Sequence, residues 1–249
     1  MENSALYYSG FIGFIIFPLF CVLLILRGLQ LTLKKTDFTI KKQNKILLQT
    51  SFIFLFWISL TGILSASGLL DMSKEKLILP PPALILVNIP WVVLLLLVNF
   101  NTTIKTIIKV IPSHWLVYFQ SFRIIVEILI WVVFLQNLLP IQMTFEGYNF
   151  DILVGIFALP VGFFVAKQTS ISTKKKLLIG WNIFGLVLLA TIIIISILSM
   201  PLPIRQFMNE PSAVIVSTFP YMWLPAILVV IAYSLHILSL KQALLMKEK

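Results

Sequence analysis

The chain has 249 residues, of which 59% are hydrophobic and 11% are charged, and its formal net charge is +10. Soluble domains are about 45–50% apolar and about 25% charged, so this composition excludes a soluble protein and indicates an integral membrane protein. A single cysteine, Cys21, excludes a disulfide framework within the chain. The basic excess does not require a nucleic-acid partner, because it follows the arrangement of the apolar segments.

Seven apolar segments follow one another along the chain, and short links join them. Each segment is close to or above the roughly 20 residues that cross a bilayer as a helix. Continuous apolar runs also exclude an outer-membrane barrel, whose strands alternate apolar and polar residues. The predicted fold is therefore all-α, a single seven-helix transmembrane bundle with spans at about 10–32, 46–70, 80–99, 114–138, 150–167, 177–199 and 214–239.

The basic residues predict the orientation of this bundle, since they are retained on the cytoplasmic side of a membrane. When alternate links are assigned to opposite sides, fifteen lysines and arginines fall on one side and three on the other, with Arg123 inside a span. We therefore expect the N-terminus outside and the C-terminus in the cytoplasm. Anionic lipid head groups of the bilayer also attract such a basic side. The first segment has no basic residue ahead of it, so we expect it to be retained rather than cleaved as a signal.

The fourth segment carries two charges in "YFQSFRIIVEILIWVVF", residues 118–134. Near a helix centre Arg123 and Glu127 each cost about 2.5 to 3.5 kcal/mol, which nearly cancels the gain from the apolar side chains of this segment. Gln120, Arg123, Glu127 and Trp131 share one helix face, and we expect that face to turn towards protein or a wet cavity. Arg123 and Glu127 are four residues apart, so the spacing predicts a direct pair.

Two interpretations of this pair remain open. It is either a structural bridge that fixes helix register, or part of a path for a solute or a proton, as intramembrane ionisable residues often are. Asn88 and Asn182 are further polar groups at membrane depth. With Gln120, Arg123 and Glu127 they form the candidate polar interior.

The loop that follows reads "LPIQMTFEGYNFDILVG", residues 139–155. Pro140 ends the fourth helix, because proline lacks a backbone donor and clashes with the preceding turn. Asp151 sits at the start of the fifth span and is predicted to cap the N-terminus of that helix. A cation site shared by Glu146 and Asp151 is an alternative, although the spacing matches no calcium loop. The candidate outer lid consists of Gln142, Glu146, Asn149 and Asp151.

The pattern "FR..VE" followed by "LP.QMTFEG.NFDI..G" resembles an uncharacterised family of small seven-span membrane proteins of bacteria, notably the Bacteroidota. The resemblance covers residues 122–155. It implies a location in the bacterial inner membrane, and it implies no activity, because that family has none assigned.

The sequence lacks the residues that several known functions of seven-span proteins require. Residues 214–239 contain no lysine for a retinal Schiff base, and two histidines, His114 and His236, do not make a zinc site. We read both as interfacial or packing residues, and we predict no metal and no cofactor. A phosphate-binding loop and a Ser-His-Asp set are also missing from the sequence.

Two functional hypotheses follow. An intramembrane enzyme that acts on lipid is a third, less favoured hypothesis, because the sequence shows no group of catalytic residues. The first is a transporter of a small solute or ion, in which Arg123 holds an anionic group or locks Glu127, and Glu127 carries the proton or cation. The second is a non-catalytic accessory or sensor module in which the buried pair is only structural. The sequence names no protein partner for either.

Overall fold

The structure is a computed structural model that describes residues 2–73 and 80–246. Within those ranges all regular secondary structure is helical. The four lysines Lys74, Lys76, Lys247 and Lys249, which enter the charge count, lie outside the described residues. The helices are α1 (Glu2–Leu33), α2 (Ile40–Ala66), α3 (Pro82–Phe100), α4 (Thr102–Val110), α5 (Ser113–Tyr118), α6 (Phe122–Leu135), α7 (Ile152–Lys167), α8 (Ile171–Ser199) and α9 (Val229–Leu245).

Six helices among the described residues are long and apolar enough to cross a membrane. A 3₁₀ turn, Phe119–Ser121, joins α5 to α6, so that these two helices form one such span. Helices satisfy their backbone groups internally, as hydrocarbon requires. The prediction of an all-helical, multi-pass membrane protein is confirmed. The six spans are Tyr8–Leu33, Ile40–Ala66, Pro82–Phe100, Ser113–Leu135, Ile171–Ser199 and Leu224–Leu245.

The predicted span at 150–167 differs from the other six. Helix α7 has only 16 residues, about 24 Å of helix against a hydrocarbon core of about 30 Å. Its start lies deep in the bundle, because the Asn149 side chain reaches Glu127 of α6, about 12 Å below the end of that helix at Leu135. Residues 136–151 therefore fold back into the bundle, and we call them the re-entrant loop.

Backbone hydrogen bonds within the re-entrant loop explain how irregular structure is tolerated there. The Thr144 N–H donates to the Ile141 carbonyl at 2.9 Å, and the Asn149 N–H donates to the Thr144 carbonyl at 3.1 Å. Gly147 permits this tight turn, since an added Cβ would lie 2.3 Å from the Ile141 carbonyl oxygen. Non-helical backbone at membrane depth is tolerated where its polar groups are satisfied and it is buried in protein, and Leu139, Met143, Thr144 and Asn149 of this loop are buried.

The last span starts ten residues later than the predicted 214–239. Ala213–Ser217 form a 3₁₀ turn, and Leu224–Leu228 form a widened π turn that leads into α9. Pro220 and Pro225 lack backbone donors, so a regular α-helix cannot run through this stretch. The span therefore runs from Leu224 to Leu245.

Helix α9 lies at the centre of the bundle and packs against α3, α4, α5 and α8. Helix α7 approaches α5 and α6 closely, since a Cβ on Gly162 would lie 2.6 Å from the Tyr118 ring. Helices α2 and α3 lie at the periphery, and in each only 11% of the apolar window is buried. Their exposed apolar side chains suit contact with lipid. Helix α3 also contains a proline, Pro90, in its interior.

The two ends of the bundle differ in charge. At one end, the Lys35 ammonium lies 5.0 Å from the centre of the Trp115 ring. At the same end, Lys241 donates to the Asn99 side-chain oxygen at 2.9 Å. These contacts bring together the ends of α1, α3 and α9 with the start of α5. At the opposite end, Gln136 of the re-entrant loop donates to the backbone at the start of α1.

Candidate functional site

The centre of the site is an ion pair between Arg123 of α6 and Asp151 of the re-entrant loop. The Arg123 Nε donates to Asp151 Oδ2 at 2.6 Å, and Nη2 donates to Oδ1. Both residues are buried, Arg123 with 1% of its surface exposed. A bidentate guanidinium–carboxylate pair is among the strongest polar contacts in proteins. Removing either partner leaves an uncompensated buried charge, so the pair holds the re-entrant loop against α6.

This pairing corrects two sequence predictions. Arg123 pairs with Asp151 and not with Glu127, because arginine before glutamate is the weaker order on one helix and the loop offers two well-placed oxygens. Both Asp151 oxygens accept from Arg123, so this side chain does not cap α7. Glu146 is exposed and accepts from Trp131 Nε1 at 2.9 Å, so it does not share a cation site with Asp151.

A hydrogen-bonded chain continues from Arg123 across the bundle. Arg123 Nη1 lies 3.1 Å from His236 Nε2. A guanidinium group only donates, so Nε2 must accept, and the neutral imidazole carries its hydrogen on Nδ1. That Nδ1 donates to Asn182 Oδ1 at 2.9 Å, and Asn182 Nδ2 donates to Ser239 Oγ at 2.9 Å. The chain therefore joins α6, α9 and α8.

Gly185 of α8 makes room for this histidine. A Cβ added there would lie 2.2 Å from Cε1 and 2.3 Å from Nε2 of His236. These distances are shorter than any non-bonded contact, so a larger residue must displace the imidazole ring. The close approach of α8 to α9 depends on this glycine.

Sequence reasoning missed His236 and Ser239, because a lone histidine near a helix end was read as an interfacial or packing residue. A signal was nevertheless present in α9. Tyr233, His236 and Ser239 recur every three residues, which places them on one face of an otherwise apolar helix. That spacing indicates a polar face turned towards the bundle interior.

Glu127 has a different environment from Asp151. Its Oε2 accepts from Asn149 Nδ2 at 2.6 Å, and Asn149 Oδ1 accepts from the Asp151 N–H at 3.0 Å. Glu127 is 1% exposed, and among the described residues no ion pair includes it. A carboxylate buried in this way is costly unless a proton or a cation accompanies it.

A cavity of about 360 Å³ lies beside Glu127, between α3, α6, α8 and α9. We call it the central cavity. Its size falls in the range of about 300–1,000 Å³ that is typical of ligand sites. Its walls are mainly apolar, and Glu127, Asp151 and Tyr233 are among its few polar groups. The Tyr233 hydroxyl is buried and, within the described part of the chain, has no hydrogen-bond partner.

The other predicted site residues lie around this centre. Gln120, in the 3₁₀ turn between α5 and α6, is buried and donates to the Ala232 carbonyl at 3.0 Å, which ties this turn to the backbone of α9. Asn88 donates to Leu84 of its own helix and lies at the edge of the central cavity. Gln142 joins two other segments, since it donates to Ser199 and accepts from Asn209.

Seven of these side chains form one hydrogen-bonded group, which we call the buried polar cluster. It unites residues of the candidate polar interior and of the candidate outer lid with His236 and Ser239 of α9, which belonged to neither set. Gln120, Asn88, Gln142 and Glu146 remain outside it. Within residues 2–73 and 80–246, no group of three or more His, Cys, Asp or Glu is placed to hold a metal ion. The members of the buried polar cluster are Arg123, Glu127, Asn149, Asp151, Asn182, His236 and Ser239.

No protein-family model, curated protein or solved structure matches the chain. The site is therefore interpreted from its own geometry.

Proposed function

We propose that the protein is a membrane transporter that carries a cation or a small solute and uses Glu127 as its binding group. The observation that carries this proposal is the position of the Glu127 carboxylate, which is buried at membrane depth, borders the central cavity and, among the described residues, has no basic partner in an ion pair. Arg123 and Asp151 neutralise each other, so the charge of Glu127 must be balanced by a bound proton or a bound cation. Intramembrane ionisable residues are typical of solute and proton paths.

In this transporter, the binding of either a proton or a cation to the Glu127 carboxylate couples the movement of one to the movement of the other. Glu127 is uncharged with a bound proton, and it is paired when a cation is bound. The ionised carboxylate with neither a proton nor a cation bound is the state of highest free energy. Exchange between the other two states lets a proton gradient drive a cation in the opposite direction. The Asn149 side chain donates to the carboxylate in both states and holds it in place.

The re-entrant loop supports the same function. It places the start of α7 at the depth of Glu127, and discontinuous helices of this kind form the substrate sites of many secondary transporters. Asp151, which ends the loop, is fixed by Arg123. The loop is therefore positioned to respond when the charge at Glu127 changes.

We also propose that the chain crosses the membrane seven times, with the N-terminus outside and the C-terminus in the cytoplasm. In this topology α7 and the re-entrant loop together make the fifth crossing. The basic side chains at the end that holds Lys35 and Lys241 support this orientation. The resemblance carried by residues 122–155 favours the inner membrane of a bacterium.

A second candidate function is an accessory or sensor module without transport. It is favoured by the completeness of the Arg123 contacts, since Nε, Nη1 and Nη2 all have partners. In that case the buried polar cluster serves only to hold α6, α8 and α9 in register. The two functions differ in what Glu127 does.

The test is proton efflux from acid-loaded proteoliposomes that enclose a pH-sensitive dye, because exchange of one proton for one monovalent cation moves no net charge. Addition of sodium, potassium or a quaternary alkylammonium ion outside is expected to give proton-efflux signals with the wild type. Glu127→Gln should abolish them, since the amide keeps the shape and the Asn149 contact but cannot bind a cation by charge. Glu210→Gln, an exposed acid outside the cavity, is the matched control and should keep them. Absence of any Glu127-dependent proton efflux, together with a co-purifying protein, favours the accessory module.

A further inference from the structure

We infer that the ligand of the central cavity is a lipophilic cation, an amine or ammonium group on an apolar body, and that it enters sideways from the bilayer between α3 and α8. The transport of this ligand rests on the proposed function, whereas its binding does not.

The charge of the ligand follows from the excess carboxylate. Arg123 is occupied by Asp151 and His236, so it does not attract an anion. Glu127 faces the cavity without a basic partner among the described residues. An anionic head group at this end would meet a like charge whenever Glu127 is ionised. A cation instead pairs with the ionised carboxylate and takes the place of its proton.

The apolar body of the ligand follows from the cavity walls. Most of the lining residues are aliphatic, and α8 and α9 supply many of them, such as Leu186, Leu189 and Val229. A hydrated inorganic ion gains nothing from such walls, whereas an alkyl or aromatic body buries its surface against them. The cavity volume of about 360 Å³ leaves room for a body of this kind beside the head group.

The buried Tyr233 hydroxyl provides a second contact for the head group. It lines the cavity as Glu127 does, and it has no hydrogen-bond partner within the described residues. A buried hydroxyl without a partner is destabilising until a ligand satisfies it. An ammonium N–H can donate to the Tyr233 oxygen while it pairs with Glu127. A quaternary ammonium can instead rest against an aromatic ring face.

The sideways entrance follows from which lining residues are exposed. Asn88 and Trp91 of α3, and Ala190 and Ile193 of α8, line the cavity and also reach the surface. They lie in the interior of two membrane-spanning helices, so this opening faces lipid rather than water. Helix α3 packs on α9 and α4, whereas α8 packs on α9 and α7. Helix α9 is therefore the floor of an opening between α3 and α8.

Binding is tested with radiolabelled octylammonium and purified protein in phosphatidylcholine nanodiscs. Empty nanodiscs measure partitioning into lipid, which is subtracted. We expect saturable binding to the wild type and to Glu210→Gln, and an affinity at least tenfold lower for Glu127→Gln. Octanol, which has a similar body without the charge, should bind at least tenfold more weakly, with no difference between wild type and Glu127→Gln. Equal octylammonium binding by wild type and Glu127→Gln overturns the assignment of the cation to this site.

A second variant tests the entrance without changing any charge. Ala190→Trp places a large side chain in the opening and should slow octylammonium association at least tenfold. Val187→Trp is the matched control, because Val187 is exposed on the same helix but does not line the cavity. An unchanged association rate in Ala190→Trp shows that the ligand does not enter between α3 and α8.

The outcomes separate this inference from the proposed function. Glu127-dependent binding without any Glu127-dependent proton efflux keeps the ligand class and removes transport. Glu127-dependent proton efflux with sodium or potassium, together with no saturable octylammonium binding, keeps transport and overturns the ligand class. If neither octylammonium binding nor transport depends on Glu127, the central cavity is not a cation site.

Discussion

The assignment of the Arg123 partner can be tested by double-mutant cycles on stability. Arg123→Gln strands the Asp151 carboxylate in the interior, and Asp151→Asn strands the guanidinium. Breaking a buried pair in this way typically costs about 3–5 kcal/mol. The double variant removes both charges and should be little worse than either single variant. The coupling energy between Arg123 and Asp151 should therefore be close to the loss in one single variant, about 3 kcal/mol or more.

The same cycle between Arg123 and Glu127 should give a much smaller value. These residues form no ion pair in the described structure, and Glu127 takes its hydrogen bond from Asn149. We expect a coupling below about 1 kcal/mol, as for pairs without good geometry. A third cycle on the exposed pair of Arg205 and Glu210, whose carboxylate side chain is 70% exposed, should also stay below about 1 kcal/mol.

The measurement is the free energy of unfolding from SDS titration in mixed micelles, followed by circular dichroism. All variants are compared in the same detergent. A coupling between Arg123 and Glu127 that equals or exceeds the one between Arg123 and Asp151 would refute the pairing that the structure gives. That result would instead support the direct pair between Arg123 and Glu127 that the helix spacing predicts.

Three further predictions concern the surroundings of this pair. Gly185→Ala should destabilise the fold by about 1–3 kcal/mol, because the new methyl group displaces His236, whereas Gly180→Ala, with open space around it, should change the unfolding midpoint little. Asn149→Leu should cost about 1–3 kcal/mol in the same assay, since it leaves the Glu127 carboxylate without its donor; an unchanged midpoint would show that the amide is dispensable. Octylammonium affinity should fall by up to about tenfold for each unit of falling pH, because a proton competes with the cation at Glu127, and a pH-independent affinity in the wild type would exclude this exchange.

Composition and apolar runs were sufficient for the coarse architecture. The six long spans were all marked from the sequence, because each keeps a run of apolar residues near bilayer length. Their ends were harder to place. Helix α2 begins at Ile40, where Thr39 accepts from the Lys42 N–H at 3.4 Å, although the lysines nearby are polar. Hydrophobicity marks the part of a helix that lies in lipid, not the part that extends beyond it.

The re-entrant loop could not be predicted from local pattern. Its apolar and turn-forming residues read as an outer loop, and nothing in their order shows that they fold inward. What holds the loop inside is a contact between residues 28 positions apart, Arg123 and Asp151. Contacts of this kind depend on how helices pack, which a single sequence does not reveal.

The site itself was half predicted. The costly charges of α6 identified the helix face that turns inward, because hydrocarbon penalises them wherever the rest of the chain lies. The partners of those charges were not identified, since several polar residues could reach them equally well. His236 shows the limit clearly, because the space that receives it is created by Gly185 on another helix.

Pro90 gives helix α3 a local weakness that helices α6, α8 and α9 lack, since none of those three has a proline in its interior. It lies between Asn88 and Trp91, at the opening towards lipid, and it removes the backbone bond that would reach back to Leu86. Helices α6, α8 and α9 are joined to one another by the buried polar cluster, so they resist separation. Helix α3 contributes no side chain to that cluster. A bend of α3 at Pro90 therefore breaks no contact of Arg123.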